Sequence, residues 1–320
     1  MNTDTYIISL NRPDKLIEYT RNFNLNPIWM EGVNGKKITQ EEIEKHNSKM
    51  WSAIGPKGAI GCGMSHLLCW QEIANSDKDY SLILEDDVYF SDDFEEQFTN
   101  AIDNVPSDFD VLYVGCYACQ KDSLQSKLFS LVGRKNRMYK DVNDYIEVPK
   151  ISLATHAYVV SKKGARKLIE LLDGNISFHI DHEIQVLSRK NKIKVYAIKK
   201  KIGFQTSCIN DSTSTNVSTE HPMLINRPLA NVILDNDISI KYALNISLAS
   251  FGGVNITAMA FLFLFTGVIL AYNKVDVKKV VVSFFLLSLP DIVYKTSDMS
   301  QIIFHLVLLI SPFSVNCITK

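Results

Sequence analysis

The sequence is short of net charge and of cysteine. Its 320 residues carry 34 basic and 35 acidic side chains, for a formal net charge of -1. No overall field therefore attracts the chain to nucleic acid, and we expect no nucleic-acid partner. The six cysteines include a pair at metal-like spacing, Cys116 and Cys119. A zinc site needs a second pair or nearby histidines, so we expect reduced, partly buried thiols.

Two common sequence signals are also absent. The first residues contain an acid and no basic region, and the apolar run after them is only as long as a strand. We therefore expect no cleaved secretory signal and a cytosolic, reducing setting. The chain contains no Gly-Lys-Ser/Thr loop of the Walker type. This absence disfavours a metal-dependent phosphotransferase that uses a nucleoside triphosphate.

Charge is missing from part of the C-terminal quarter. Residues 251–272 contain no charged side chain, and about 20 such residues span the hydrocarbon core, so we predict a transmembrane helix there. The apolar segments 280–289 and 302–318 have three alternative interpretations, which are a hairpin, an interfacial pair and short spans. We expect residues 1–237 to form one domain and residues 238–320 to form a membrane-anchoring region. The chain would then be membrane-associated, with lipid as a partner and the first domain on the cytosolic face.

The first 237 residues instead alternate short apolar runs with helical segments. Runs rich in β-branched residues occupy 6–10, 80–84, 110–115 and 157–161, and they predict buried strands. The alternation predicts an α/β fold, a three-layer α/β/α sandwich with a largely parallel sheet. Ligands of such sheets bind beyond the carboxyl ends of the strands.

Polar residues follow two of these predicted strands. Asn11 and Arg12 follow the first, and Glu85, Asp86 and Asp87 follow the run 80–84. Both groups stand at carboxyl ends of strands, so we expect them to face one crevice. Carboxylates suit Mg²⁺ or Mn²⁺, and such a metal can bridge a diphosphate and stabilise the charge formed when a bond to phosphate breaks. A solvated turn or a helix cap is the simpler interpretation of an acidic triplet.

A wider pattern resembles a known family. The stretch 58–66, Trp70 and the stretch 82–87 together resemble glycosyltransferase family 25, which includes bacterial lipooligosaccharide galactosyltransferases and collagen galactosyltransferases. Residues 6–12 are similar to its opening nucleotide-binding strand. Further similarity lies at 110–115, 157–165, 178–181, Gln205 and Ser212. The combination is specific although each piece is loose.

The resemblance implies a GT-A-type fold and transfer of a hexose, galactose or glucose, from a UDP-sugar to an acceptor hydroxyl with inversion. It implies Mn²⁺ or Mg²⁺ as cofactor and a glycan, glycolipid or glycoprotein as acceptor, as in lipopolysaccharide biosynthesis. Asp87 would contact the metal, Glu85 the metal or the ribose, and Asp86 either one. Asn11 and Arg12 would contact the base or the phosphates of the donor.

Inversion in a single displacement needs a base on the acceptor hydroxyl. Asp181, in the helical segment that also holds Glu183, is the predicted base, and Glu183 is the alternative. A helix N-cap is the simpler interpretation of Asp181. His66 is expected to support the core or the site, and His156 to be structural.

A different class of function stays open. The chain could be a non-catalytic sugar- or nucleotide-binding membrane protein that keeps the fold. The presence of Glu85, Asp87 and Asp181 favours catalysis over this alternative.

Overall fold

The computed structural model describes residues 3–123, 126–127, 140–206, 221–234 and 238–318. The chain divides into two compact units, one of residues 1–53 and 57–206 and one of residues 54–56 and 207–320. The boundary predicted after residue 237 stays a prediction, and the division into units gives a second position for it. Ser212, part of the family resemblance, lies outside the described residues.

The first unit alternates strands and helices as predicted. Its described strands are β1 (Thr3–Ser9), β2 (Leu25–Glu31), β3 (Tyr80–Glu85), β4 (Val88–Phe90), β5 (Val111–Tyr117), β6 (Lys140–Asp141), β7 (Ile146–Val148), β8 (Leu153–Ser161), β9 (Val195–Ile198) and β10 (Gly203–Gln205). Its described helices are α1 (Asp14–Arg21), α2 (Gln40–His46), α3 (Lys49–Ile54), α4 (Lys57–Asn75), α5 (Phe94–Asn104), α6 (Lys162–Leu172) and α7 (Ile180–Arg189).

Eight strands form one sheet in the order β2-β1-β3-β8-β5-β9-β7-β6. Strand β1 runs parallel to β2 and β3, and β5 runs parallel to β9. Strand β8 lies antiparallel between β3 and β5, and β7 is antiparallel to β6 and β9. A large α/β sheet is therefore present, but the expectation that it is largely parallel is wrong. After β5 the chain forms β6 and β7 at the far edge of the sheet. It then returns as β8, which inserts between β3 and β5 and runs in the opposite direction to both.

The sheet is buried on both faces. Successive side chains of a strand point to opposite sides, so each central strand contributes to two cores. Ile8 and Ile83 pack into one core with α4, α6 and α7. Ile7 and Leu84 pack into the other core with α1 and α5. The unit therefore has three layers, and the ends of its central strands are held between two packed cores.

The second unit is smaller and mainly helical. Its described elements are α8 (Met223–Ala230), β11 (Ile233–Leu234), β12 (Ile238–Ser239), α9 (Ile240–Asn245), β13 (Ala249–Phe251), β14 (Val254–Ile256), α10 (Ala258–Tyr272), α11 (Val277–Tyr294) and α12 (Met299–Ile318). Phe263, Phe284 and Leu309, from the last three helices, share one apolar core.

The predicted transmembrane helix is absent: no helix of the described residues is long and apolar enough to cross a bilayer. Residues 251–256 belong to the hairpin of β13 and β14, so α10 keeps only 15 residues. That length gives about 22 Å at 1.5 Å per residue, short of the hydrocarbon core of about 30 Å. Helix α11 carries Lys278, Lys279 and Asp291. The predictions of a transmembrane tail and of a membrane-associated chain are therefore wrong for these residues, and the predicted lipid partner has no support from them.

The cysteines also differ from expectation. Cys116 and Cys119 are joined by a disulfide at the end of β5, so the prediction of reduced thiols is wrong for this pair. Cys62 and Cys69, both on α4, are free thiols. Of these two, Cys62 is partly exposed and Cys69 is buried.

Candidate active site

The carboxyl ends of β1 and β3 meet at one edge of the sheet. Ile8 lies opposite Glu85 in the parallel register, and the Ser9 hydroxyl donates a 2.5 Å hydrogen bond to Asp86 Oδ2. Partial burial raises the pKa of Asp86, and the charge of Glu85 raises it further, while the bond from Ser9 opposes both. The two polar groups predicted from the sequence therefore lie at neighbouring strand ends.

Asn11 and Arg12 follow β1 at this edge, and both are exposed. The Arg12 guanidinium pairs with Asp14 at 2.9 Å, at the first residue of α1. Contact of Asn11 and Arg12 with a nucleotide stays a prediction.

Glu85, the last residue of β3, lies beside the start of β8. Its Oε1 accepts a 2.8 Å hydrogen bond from the Thr155 hydroxyl and lies 3.4 Å from His66 Nε2. Its Oε2 accepts a 3.3 Å bond from the amide of Gln205. Burial raises the pKa of Glu85, but the hydrogen bonds and charge of His66, together with the bond from Thr155, outweigh burial and hold this pKa below its ordinary value. Glu85 is therefore held as a carboxylate.

Asp87 is tied to Glu85 through Gln205. Strands β4 and β10 pair antiparallel, with Gln205 opposite Val88, so the Gln205 side chain reaches both acids. Its Nε2 lies 3.2 Å from Asp87 Oδ1 and 3.3 Å from Glu85 Oε2. The Tyr117 hydroxyl donates to Gln205 Oε1 at 2.9 Å and fixes the amide. Both carboxylates are thus within reach of one atom, and their oxygens suit Mg²⁺ or Mn²⁺.

Asp181 stands in the first turn of α7 and not at its N-cap, which is His179. Its Oδ2 accepts a 2.9 Å bond from the Ala154 backbone N–H, and its Oδ1 accepts a 2.7 Å bond from the His182 N–H. Asp181 therefore contacts Ala154, which precedes Thr155 on β8. Glu183 accepts instead from the Ser177 N–H at 2.9 Å, which closes the start of the helix.

Cys62 lies beside Glu85, and its sulfur is within 4.8 Å of a Glu85 carboxylate oxygen. Burial raises the pKa of its thiol well above the ordinary value, and the charges of Glu85, Asp181 and Asp87 raise it further. Thr155, which bonds to Glu85, follows Ala154, whose N–H bonds to Asp181, and Gln205 joins Glu85 to Asp87. These contacts bring the predicted metal ligands and the predicted base together at one edge of the sheet.

The two histidines differ in their surroundings. His66 is buried and faces the site, with Nδ1 3.0 Å from the Tyr158 hydroxyl. His156 is buried with its Nε2 3.2 Å from the Gly203 carbonyl. Burial and the charge of Lys201 lower the pKa of His156 to about 3, so this imidazole is neutral and braces β8 against β10.

Sequence reasoning missed Ser9, Cys62 and Thr155 as parts of this site. Cys62 and His66 are four residues apart on a helix, a spacing that places them on one face and that could have indicated the pair. Ser9 and Thr155 gave no such signal, because a hydroxyl on a strand has no distinctive pattern.

Comparisons with known proteins point to one sequence family. The sequence profile described as glycosyltransferase family 25 (LPS biosynthesis protein) matches residues 2–184. Procollagen galactosyltransferase 2 of Homo sapiens is 23% identical over 197 residues, which are 58% of this chain and 30% of that protein. Procollagen galactosyltransferase 1 of Danio rerio is 27% identical over 175 residues, 51% of this chain and 27% of that protein.

A further relative carries a different name. The probable inactive glycosyltransferase 25 family member 3 of Bos taurus is 24% identical over 186 residues, 52% of this chain and 28% of that protein. The chain spans less than a third of the length of these relatives. Because the family profile matches more than half of its residues, the chain belongs to glycosyltransferase family 25.

Proposed function

We propose that this chain transfers a hexose, galactose or glucose, from a UDP-sugar to a hydroxyl of a glycan, glycolipid or glycoprotein, with inversion at the anomeric carbon. The observation that carries the proposal is that Glu85 and Asp87 share the Gln205 amide, while Asp181 and Glu85 bond to consecutive residues of β8. The names of the galactosyltransferase relatives favour galactose. The family description supports a place in lipopolysaccharide biosynthesis.

The oxygen ligands at this site fit a hard divalent metal ion. Glu85 and Asp87 offer carboxylate oxygens, both within 3.3 Å of one amide nitrogen. Mn²⁺ or Mg²⁺ held by these acids would neutralise the diphosphate as the bond between sugar and phosphate breaks. Hydrogen bonds from Thr155 and His66 to Glu85 would keep this carboxylate charged and oriented.

The remaining residues take separate roles in the proposal. Asp181 accepts the proton of the attacking hydroxyl, because its carboxylate is fixed beside the metal-binding acids and can still accept further hydrogen bonds. Glu183 is the alternative base, although its bond to the Ser177 N–H ties it to the helix start. Asp86 contacts the donor, and Asn11 and Arg12 bind its base or phosphates.

Purified protein incubated with a panel of UDP-sugars and Mn²⁺ tests the proposal. We expect release of UDP with one hexose donor, loss of release in EDTA and recovery on adding Mn²⁺ or Mg²⁺. Asp87→Asn should abolish release, whereas Asp92→Asn, at an exposed acid that the proposal does not use, should not. Release that survives both EDTA and Asp87→Asn would remove the metal from the mechanism.

The stereochemistry has its own measurement. UDP-hexose donors of the α configuration should give a β-linked product, which the one-bond C–H coupling of the anomeric carbon identifies by NMR. An α-linked product would contradict inversion and Asp181 as a base in a single displacement.

A non-catalytic nucleotide-sugar-binding protein is the second candidate. The name of the Bos taurus relative favours it, because that family member is described as probably inactive. Such a protein would show a thermal shift with UDP and Mn²⁺ but no UDP release from any donor, with or without acceptors.

A further inference from the structure

Three ligand atoms of different chemistry converge beside the proposed donor site. Cys62 and His66 are four residues apart on α4, so their side chains share one helix face. Glu85 closes the group from the end of β3. The Cys62 sulfur, a His66 ring nitrogen and a Glu85 oxygen all lie within 4.8 Å of one another.

The spacing of this group suits a small tetrahedral ion. His66 Nε2 and Glu85 Oε1 are 3.4 Å apart, longer than most N–H···O hydrogen bonds. Metal–ligand bonds of about 2.0–2.2 Å at a tetrahedral angle place the nitrogen and the oxygen about 3.3 Å apart. The observed separation therefore matches an edge of a zinc tetrahedron.

A second layer of hydrogen bonds orients the ligands. Tyr158 Oη lies 3.0 Å from His66 Nδ1 and accepts from Trp70 Nε1 at 2.8 Å, which turns His66 Nε2 toward the group. A phenol hydroxyl both donates and accepts, so His66 can hold its proton on Nδ1 and keep this bond when zinc binds, while Nε2 gives up its hydrogen bond to Glu85 and binds the ion. The Thr155 hydroxyl holds Glu85 at 2.8 Å. Metal-binding histidines and carboxylates are usually supported in this way.

The ligand types select the metal. A thiolate and an imidazole favour Zn²⁺ over Mg²⁺ or Mn²⁺, which prefer oxygen. The site is also negative, since Glu85 is held as a carboxylate and is joined to the Asp87 carboxylate through the Gln205 amide. A bound dication would offset this charge and replace the thiol proton, which leaves to solvent.

We propose that Cys62, His66 and Glu85 bind one Zn²⁺ ion, with a fourth position open to water. This site is separate in chemistry from the oxygen-only site of the donor metal, and it shares Glu85 with it. Zinc bound there removes Glu85 from the donor site and inhibits transfer. The inhibition rests on the proposed function, whereas the binding of zinc does not.

Co²⁺, a spectroscopic substitute for Zn²⁺, tests the site without any sugar donor. The parent is the full chain with Cys208→Ser and Cys317→Ser, kept oxidised so that the Cys116–Cys119 disulfide stays closed. We expect one equivalent of Co²⁺ to give a near-ultraviolet thiolate-to-metal band that one equivalent of Zn²⁺ removes. Cys62→Ser should lack the band, whereas Cys69→Ala, the matched change at the buried thiol of the same helix, should keep it.

A zinc titration against a chromogenic chelator adds a measurement that does not need the Cys62 variant. Glu85→Gln should weaken zinc binding at least about 10-fold, with the melting temperature of the metal-free chain as a check on folding. No band in the parent, a band that persists in Cys62→Ser, or unchanged zinc affinity in Glu85→Gln would overturn the site. Failure of the proposed function would show separately, as no UDP release from any donor in zinc-free buffer.

Discussion

The Asp181 carboxylate accepts a 2.9 Å hydrogen bond from the backbone N–H of Ala154. The next residue, Thr155, donates to Glu85 at 2.8 Å. Two consecutive residues at the start of β8 therefore fix the predicted base and a predicted metal ligand relative to each other. Ala154 adopts a positive φ of 66° at this point, where its N–H bonds to Asp181 on α7 and the Thr155 hydroxyl bonds to Glu85 on β3.

Asp181→Asn separates a chemical role from a structural one. Asparagine keeps an oxygen that accepts from the Ala154 N–H and loses only the exposed bond from the His182 N–H, but it cannot take a proton from an acceptor hydroxyl. We expect kcat to fall by about 10²-fold or more, with donor binding and melting temperature nearly unchanged. Single-turnover kinetics and UDP titration measure the two effects.

Glu183→Gln is the matched control for the base. Glutamine still accepts from the Ser177 N–H, so the start of α7 should survive the change. Near-normal turnover of Asp181→Asn beside an inactive Glu183→Gln would transfer the role of base to Glu183. Melting curves of both variants must accompany the kinetics, because a loss of folding would mimic a loss of chemistry.

The sequence predicted the parts of this site that rest on local patterns. Apolar, β-branched runs marked β1, β3, β5 and β8, and the acids after β3 were visible as an interruption of such a run. The position of β8 was not predictable, because strand order depends on long-range pairing that leaves no local pattern. The disulfide of Cys116 and the break at residues 251–256 were missed for a related reason. Composition measured the apolar character of that stretch but not the hairpin within it.

Glu147 gives the fold a pH dependence. This carboxyl is buried on β7 and accepts from the Lys121 N–H at 3.1 Å, and burial raises its pKa to about 7. A raised pKa means that the fold favours the protonated acid, so its stability is highest below the unfolded pKa of about 4.3 and falls as the pH rises through 7. Glu147→Gln should therefore stabilise the fold by about 2 kcal/mol more at pH 8 than at pH 5.

Urea unfolding at the two pH values measures this difference. Glu170→Gln, at an exposed acid on α6, is the control and should give no comparable dependence on pH. An equal effect of Glu147→Gln at pH 5 and pH 8 would show that the carboxyl titrates normally in the fold.

Gly115 on β5 allows β10 to approach the sheet. A Cβ at this position would lie 2.3 Å from the Gly203 carbonyl oxygen and 2.5 Å from His156 Nε2. Gly115→Ala should therefore displace β10 and cost about 1–3 kcal/mol. Because β10 carries Gln205, the amide that contacts Glu85 and Asp87, metal affinity should fall as well.

Gly63→Ala is the control for this change. A Cβ on Gly63, within α4, would meet its nearest neighbour at an ordinary 3.6 Å, and alanine favours a helix over glycine by up to about 1 kcal/mol. Thermal melts should show a loss for Gly115→Ala and none for Gly63→Ala. Equal stability of both variants would mean that β10 can move away from residue 115 without loss of stability.

The first unit can be cut from the rest of the chain at residue 206 or at residue 237. Residues 221–234 bond to partners further along the chain: His221 contacts Ser288 at 2.9 Å, and the Met223 N–H donates to Asp291 at 3.0 Å. A chain cut after residue 237 would keep residues 221–234 and lose these partners. It would therefore expose the apolar face of α8 and the buried polar groups beside it.

A chain that ends at Thr206 lacks residues 221–234, ends just after Gln205 and keeps all eight strands of the large sheet. We therefore expect the chain ending at residue 206 to stay monomeric and to bind UDP with Mn²⁺, and the chain ending at residue 237 to aggregate more readily. Size-exclusion chromatography with light scattering compares the two at equal concentration, and a thermal shift with UDP checks the site. If the shorter chain aggregates and the longer one stays monomeric, residues 207–237 stabilise the first unit, and the boundary predicted from the sequence is the better one.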